Sequence, residues 1–178
     1  KIGRLLTATT MKMQDISILF FLMLISTTSA QNENWQDTYK KSTYDKALEH
    51  CKSLLPNDSV DCSTPCFNYI GLFDLKFNVE FEYADSIEVV DQNREKYIDR
   101  WIKAYWPGGE YTDLFKHQIS VSTNNENYWI IIQEPTLEYY VDELKKGDRI
   151  ELYVMFVGTI VIGNNTQYIF VANDFLKL

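Results

Sequence analysis

The sequence predicts an α+β fold: a single compact domain with three helices and a curved, mainly antiparallel sheet. Three observations carry this. Nine residues alternate strictly, with Leu75, Phe77, Val79, Phe81 and Tyr83 set against Lys76, Asn78, Glu80 and Glu82, the period of a half-buried strand. Helical periodicity appears three times, over 35–54, 92–106 and 135–144. The strands after residue 110 are separated by segments too short for parallel crossovers, and such connections join antiparallel neighbours.

The amino terminus reads as processing signal rather than fold. Lys1–Thr10 precede the first methionine and are expected to lie upstream of the true start. Met11-Lys12-Met13-Gln14-Asp15, an apolar stretch from Ile16 to Ile25 and the small residues up to Ala30 make a secretory signal peptide over 11–30. That stretch falls short of the roughly 20 residues of a membrane span. Cleavage near Ala30 would leave residues 31–178 as a secreted or periplasmic domain with no membrane span. Losing Lys1, Arg4, Lys12 and Asp15 takes the net charge from −8 to −10.

In the first helix, Tyr44, Ala47, Leu48, Cys51 and Leu54 share one face, and Pro56 ends the pattern. Asn57 to Pro65 reads as a polar loop. The alternating strand follows, then a shorter one over Ser86–Val90. Asp91 caps a second helix whose stripe is Tyr97, Ile98, Trp101, Ile102 and Tyr105, stopped by Pro107-Gly108-Gly109. Ile119 and Val121 mark a strand, Thr123–Asn127 a hairpin loop, and Tyr128–Ile132 its return. Pro135 opens a third helix carrying Leu137, Tyr140, Val141 and Leu144. Lys145 and Lys146 suit its negative end, and Gly147 stops it. Ile150, Leu152, Val154 and Phe156 alternate in the next strand, which Gly158 bends; Gly163-Asn164-Asn165 turns the chain into Tyr168–Val171.

Lys146-Gly147-Asp148-Arg149-Ile150-Glu151-Leu152-Tyr153-Val154, Phe156-Val157-Gly158 and Phe170-Val171-Ala172-Asn173-Asp174-Phe175 resemble the end of small uncharacterised bacterial secreted proteins. The resemblance covers about residues 134–175. It implies export and an OB-like or SH3-like partial barrel in the final strands, and carries no activity with it.

Cys51, Cys62 and Cys66 permit one intramolecular bridge in an oxidising compartment. A bridge from Cys51, tying the first helix to the following loop, is expected, with one thiol left over; the alternative is Cys62–Cys66 around Pro65. The spacing fits no zinc finger or ribbon, so no metal is expected. Asn57-Asp58-Ser59 and Asn164-Asn165-Thr166 are glycosylation acceptors in a host that uses them.

A net charge of −8 and a pI near 4.8 argue against nucleic acid as partner, since phosphates need Lys and Arg. No phosphate-cradling glycine loop, Gly-x-Ser-x-Gly elbow or His-Glu-x-x-His helix occurs, and no cofactor is implied. These absences weigh against an enzyme. The sequence favours a binding domain for a protein or carbohydrate partner, with no catalytic residues and with Trp106, Tyr111, Phe115 and His117 as contact candidates around the 107–109 stop. Two alternatives stand beside it. One is an acidic inhibitor or immunity-type protein acting on a basic enzyme. The other is a secreted hydrolase using Glu80, Glu82 or His117.

Overall fold

The computed structural model describes residues 34–55, 62–69, 75–107 and 111–178. The segment expected as a signal peptide, Asn57 and most of the expected polar loop fall outside them. Residues up to Asp37 form a unit of their own, of which the start of a 3-10 turn, Trp35–Thr38, is described. Among the described residues the unit from Thr38 holds seven strands, β1 (Lys40–Ser42), β2 (Cys62–Tyr69), β3 (Lys76–Val89), β4 (His117–Thr123), β5 (Glu126–Ile132), β6 (Arg149–Gly163) and β7 (Asn165–Lys177). Its helices are α1 (Tyr44–Ser53), α2 (Gln92–Tyr105) and α3 (Leu137–Glu143).

The expected α+β fold with a curved, mainly antiparallel sheet is what the chain adopts. Hydrogen bonds run through β3, β4, β5, β7 and β6 and return to β3, so five strands form a ring. Pairing is antiparallel except at β5–β7, and β1 lies parallel to β3 outside the ring. This Greek-key order is the OB-like alternative. The ring is not a clean barrel, because β5 and β7 share only the pairs Ile131–Val171 and Ile132–Ala172. Tyr44 of α1 packs beside that weak join, 4.2 Å ring to ring from Tyr128 on β5 and 5.6 Å from Phe170 on β7.

Two bends let two long strands close the ring. The strands expected at 75–83 and 86–90 are one strand, β3. Its first half pairs with β6 and its second with β4, and between them the register shifts around Asp85 at φ 65°. Strand β6 likewise passes one edge from β3 to β2 near Gly158, while β7 follows its other edge. Bulges bend a strand in this way.

Side chains pointing into the ring make the first core: Phe77, Val79 and Phe81 of β3, Ile119 and Val121 of β4, Ile130 and Ile132 of β5, Leu152, Val154 and Phe156 of β6, and Phe170 of β7. Helix α1 adds Tyr44, Ala47 and Cys51, and Tyr140 arrives from α3. The second core lies outside the ring. There Tyr97, Ile98, Trp101 and Ile102 of α2 cover Ile131, Met155, Val157, Ile160, Ile169 and Val171. Strands β6 and β7 are therefore buried on both faces.

Three expectations change. The helix over 35–54 starts only at Tyr44, capped by Thr43, because Lys40–Ser42 pairs with Phe77–Val79 as β1. Cys62–Pro65, expected in a loop, belongs to strand β2; Pro65 is tolerated because β2 ends the sheet and has an unpaired edge. The third helix is a 3-10 turn over Glu134–Thr136 running into seven α-helical residues.

The expected bridge from Cys51 is also overturned. Cys51 is a free thiol, fully buried, on the inward face that its helical spacing with Ala47 dictates. It is packed in the first core, where burial pushes its thiol up to about 12.

Candidate functional site

The site candidate is a groove between the wet side of α2 and the chain that leads into β4. Asp91 caps α2, its carboxylate accepting from the Asn93 and Arg94 N–H groups at 2.8 and 3.1 Å. With Tyr97, Ile98, Trp101 and Ile102 committed to the second core, helical spacing leaves Glu95, Lys96 and Asp99 on the flank. The opposite wall begins at the 3-10 turn Thr112–Leu114. It continues through Phe115, whose ring is buried 6.2 Å from that of Trp101. The groove encloses about 420 Å³, with Val90, Ile98 and Phe115 as apolar lining and Glu95, Lys96, Asp99, Asp113, Lys116 and His117 as polar lining. Val89 completes it, 69% exposed and opposite His117 in the β3–β4 register.

Glu134 fixes one end. One oxygen of its carboxylate accepts the Lys116 N–H at 3.1 Å and lies 2.7 Å from His117 Nδ1. The Val90 N–H donates to the Lys116 carbonyl at 2.9 Å, locking this stretch to the end of β3. Lys116 Nζ lies 2.7 Å from Asp113, while Lys103 takes Asp99 at 2.7 Å across one helical turn. The hydrogen bond and charge of Asp113, with further attraction from Glu134 and Glu95, hold the Lys116 ammonium above the ordinary lysine range.

Of the four contact candidates, Phe115 and His117 line this groove. Phe115 does so from a buried position, 5% exposed. Trp106 and Tyr111 instead lie partly buried over the second core. Trp106 ends α2 through its N–H to the Ile102 carbonyl at 2.7 Å and meets Trp101 edge-on at 5.2 Å. The aromatic cluster is thus mainly packing: ring meets ring across Trp101, Trp106 and Phe115.

The carboxylates weighed for hydrolysis are apart from His117. Glu80 points outward from β3, 2.8 Å from Arg149 and 3.7 Å from Lys41, and Glu82 stands opposite Arg149 in the register. His117 pairs with Val89 at the far end of the same strand. Among the described residues no three His, Cys, Asp or Glu side chains gather in a way that would hold a metal ion. No helix among them is long and apolar enough to cross a membrane. Asn164 is exposed at the tip of the β6–β7 turn.

Glu95, Lys96, Asp99 and Glu134 carry no sequence signal for a site. Periodicity assigns the first three to a solvated helix face, and the Glu134–His117 contact joins residues that only the β4–β5 pairing brings together.

No protein-family model matches the chain, and no curated protein matches it.

Proposed function

We propose that the chain is an exported binding domain without catalytic activity, secreted or periplasmic, whose contact surface is the groove between α2 and residues 113–117. The observation that carries this reading is the groove itself. It combines apolar lining from Ile98 and Phe115 with a polar rim and an uncovered Val89, the mixed character of a site that holds an apolar body by its polar edges. Export is supported by the leader pattern at 11–30.

The oxidising compartment brings a bridge between Cys62 and Cys66. Cys51 is a free thiol, and the two remaining cysteines both lie on β2. A non-reduced digest yielding a Cys62–Cys66 peptide supports the bridge; three free thiols in the exported protein refute it.

The test of function compares partner capture from envelope extracts and carbohydrate arrays by residues 31–178 and by Val89→Asp and Lys96→Glu. Tyr139→Ser on exposed α3 serves as control. Capture lost by both groove variants and kept by the control supports the reading. Capture kept by the groove variants refutes it.

A further inference from the structure

We propose that Asn164, at the tip of the β6–β7 hairpin, is the acceptor of an N-linked glycan. The inference rests on the export reading, since this modification reaches only a chain that enters a secretory pathway.

The tip is a two-residue turn. Val161 pairs with Thr166 and Ile162 with Asn165, which leaves Gly163 and Asn164 as the connection. Gly163 takes φ +57°, supplying the left-handed residue such a turn needs at its first position, and Asn164 keeps a negative φ. Asparagine is common in turns for two local reasons: it tolerates positive φ, and its side chain bonds the backbone nearby. Asn124 and Asn125 in the β4–β5 turn show the first, at φ 53° and 63°, and Asn124 also donates to Asp45 at 2.8 Å. Neither reason holds at Asn164. Its side-chain amide has no hydrogen-bond partner among the described residues, so the turn does not account for it.

What Asn164 does have is the setting of an acceptor. Asn164-Asn165-Thr166 places a hydroxyl two residues after the amide with no proline between. The Thr166 hydroxyl is likewise without a hydrogen-bond partner among the described residues. Asn164 and Asn165 are both exposed, and a Cβ added at Gly163 would meet nothing within 4 Å, so there is room at the tip. The other pattern of this kind, at Asn57, lies outside the described residues.

The co-reactant is a lipid-diphosphate-linked oligosaccharide, used by the transferase of the secretory pathway. Asn164 Nδ2 forms a bond to C1 of the first sugar and gives up one proton. The bond from C1 to the diphosphate oxygen breaks, and the lipid diphosphate leaves with its electron pair. Gly163 pairs with Cys62, so the glycan would stand beside β2 at the outer edge of the sheet. A bulky hydrophilic group there opposes the addition of a foreign strand.

The experiment expresses the chain in insect cells, once from Met11 with its own leader and once as residues 31–178 behind a leader proven in those cells. Asn57→Gln is the background throughout. Peptide-N-glycosidase F should increase the gel mobility of the secreted protein and leave aspartate at position 164 in the peptide map. Asn164→Gln and Thr166→Ala should each abolish that shift, while Thr166→Ser and Asn165→Gln should keep it. Protein without a glycan behind either leader overturns the proposal, and so does a shift that survives Asn164→Gln. A glycan behind the borrowed leader alone overturns export by residues 11–30 and leaves Asn164 standing as the acceptor.

Discussion

Replacing Gly158 with alanine strikes the point where β6, β2 and α2 meet. Gly158 sits at φ +135°, a conformation that L side chains rarely adopt. A Cβ placed there would lie 2.0 Å from the Asn68 carbonyl oxygen of β2 and 2.2 Å from the Tyr97 hydroxyl of α2. Both are far inside van der Waals contact, and one is backbone, so the strand or the helix must yield. The Tyr97 ring is fully buried, and its hydroxyl lies 2.5 Å from the Val157 carbonyl and 3.1 Å from that of Asn68. The strained backbone costs about 1–3 kcal/mol. Leaving the displaced hydroxyl unsatisfied costs about another 1–3 kcal/mol. A total near 4 kcal/mol is a large share of the roughly 5–15 kcal/mol of a typical domain. Urea denaturation should show the midpoint falling by about 2 M at a slope near 2 kcal/mol/M. Tyr97→Phe removes one of the two obstructing atoms. In that background Gly158→Ala should therefore cost about 1 kcal/mol less than in the wild type. A loss under about 1 kcal/mol for Gly158→Ala, or strict additivity with Tyr97→Phe, would refute this account.

The Tyr140 hydroxyl is buried without a hydrogen-bond partner, so Tyr140→Phe should leave stability unchanged or raise it by up to about 1 kcal/mol; a clear loss in thermal or urea unfolding counts against that burial. Cys51 should resist thiol reagents in the native state and react at the rate of global or local opening, so labelling as fast as that of a free peptide thiol would show that α1 is not docked. Burial raises Cys51 to about 12 and raises Tyr44 and Tyr140 as well, while a hydrogen bond to Glu126 is the main cause lifting Tyr128 to about 12. These groups ionise more readily unfolded than folded, so their stabilisation is complete below pH ~8.5 and declines as pH rises toward 12. The share of tyrosinate absorbance lost in the Tyr44→Phe, Tyr128→Phe and Tyr140→Phe variants should appear only together with loss of tertiary signal, and its smooth titration in the intact fold would contradict this. Trp101→Ala should lower stability by about 3–5 kcal/mol by opening the second core, whereas Trp106→Ala should cost less because that ring is only partly buried; the reverse order in urea unfolding would contradict the packing.

Local chemistry made α2 and the first half of β3 legible. The cap at Asp91, the stripe through Trp101 and the alternation from Leu75 to Tyr83 each state one face and one neighbour. Legibility failed where a residue's state depends on distant partners. Lys40–Ser42 is extended only because β3 offers an edge, and Cys62–Pro65 only because β6 does. Strands β6 and β7 proved longer than their alternation suggested, because burial on both faces removes the polar positions that mark a strand's limits. The aromatic residues around 101–115 announced apolar area, yet type alone does not say whether a ring meets a ligand or another ring. Phe115 and His117 were visible as candidates; Glu95, Asp99 and Glu134 were not, since a carboxylate on a wet face looks the same with or without a groove beside it.

The double burial of β6 has a price during folding. From Leu152 to Ile162 the chain is Leu-Tyr-Val-Met-Phe-Val-Gly-Thr-Ile-Val-Ile, without a charge or a proline. Before α2 docks on one side and the ring closes on the other, this is a β-prone apolar ribbon of the kind that seeds intermolecular cross-β stacking. Glu151 at its start and the Gly158 kink in its middle are the local interruptions available. A substitution that slows docking of α2, such as one at Tyr97 or Trp101, should therefore reveal itself first as insoluble protein, before any change in the thermodynamics of the molecules that do fold.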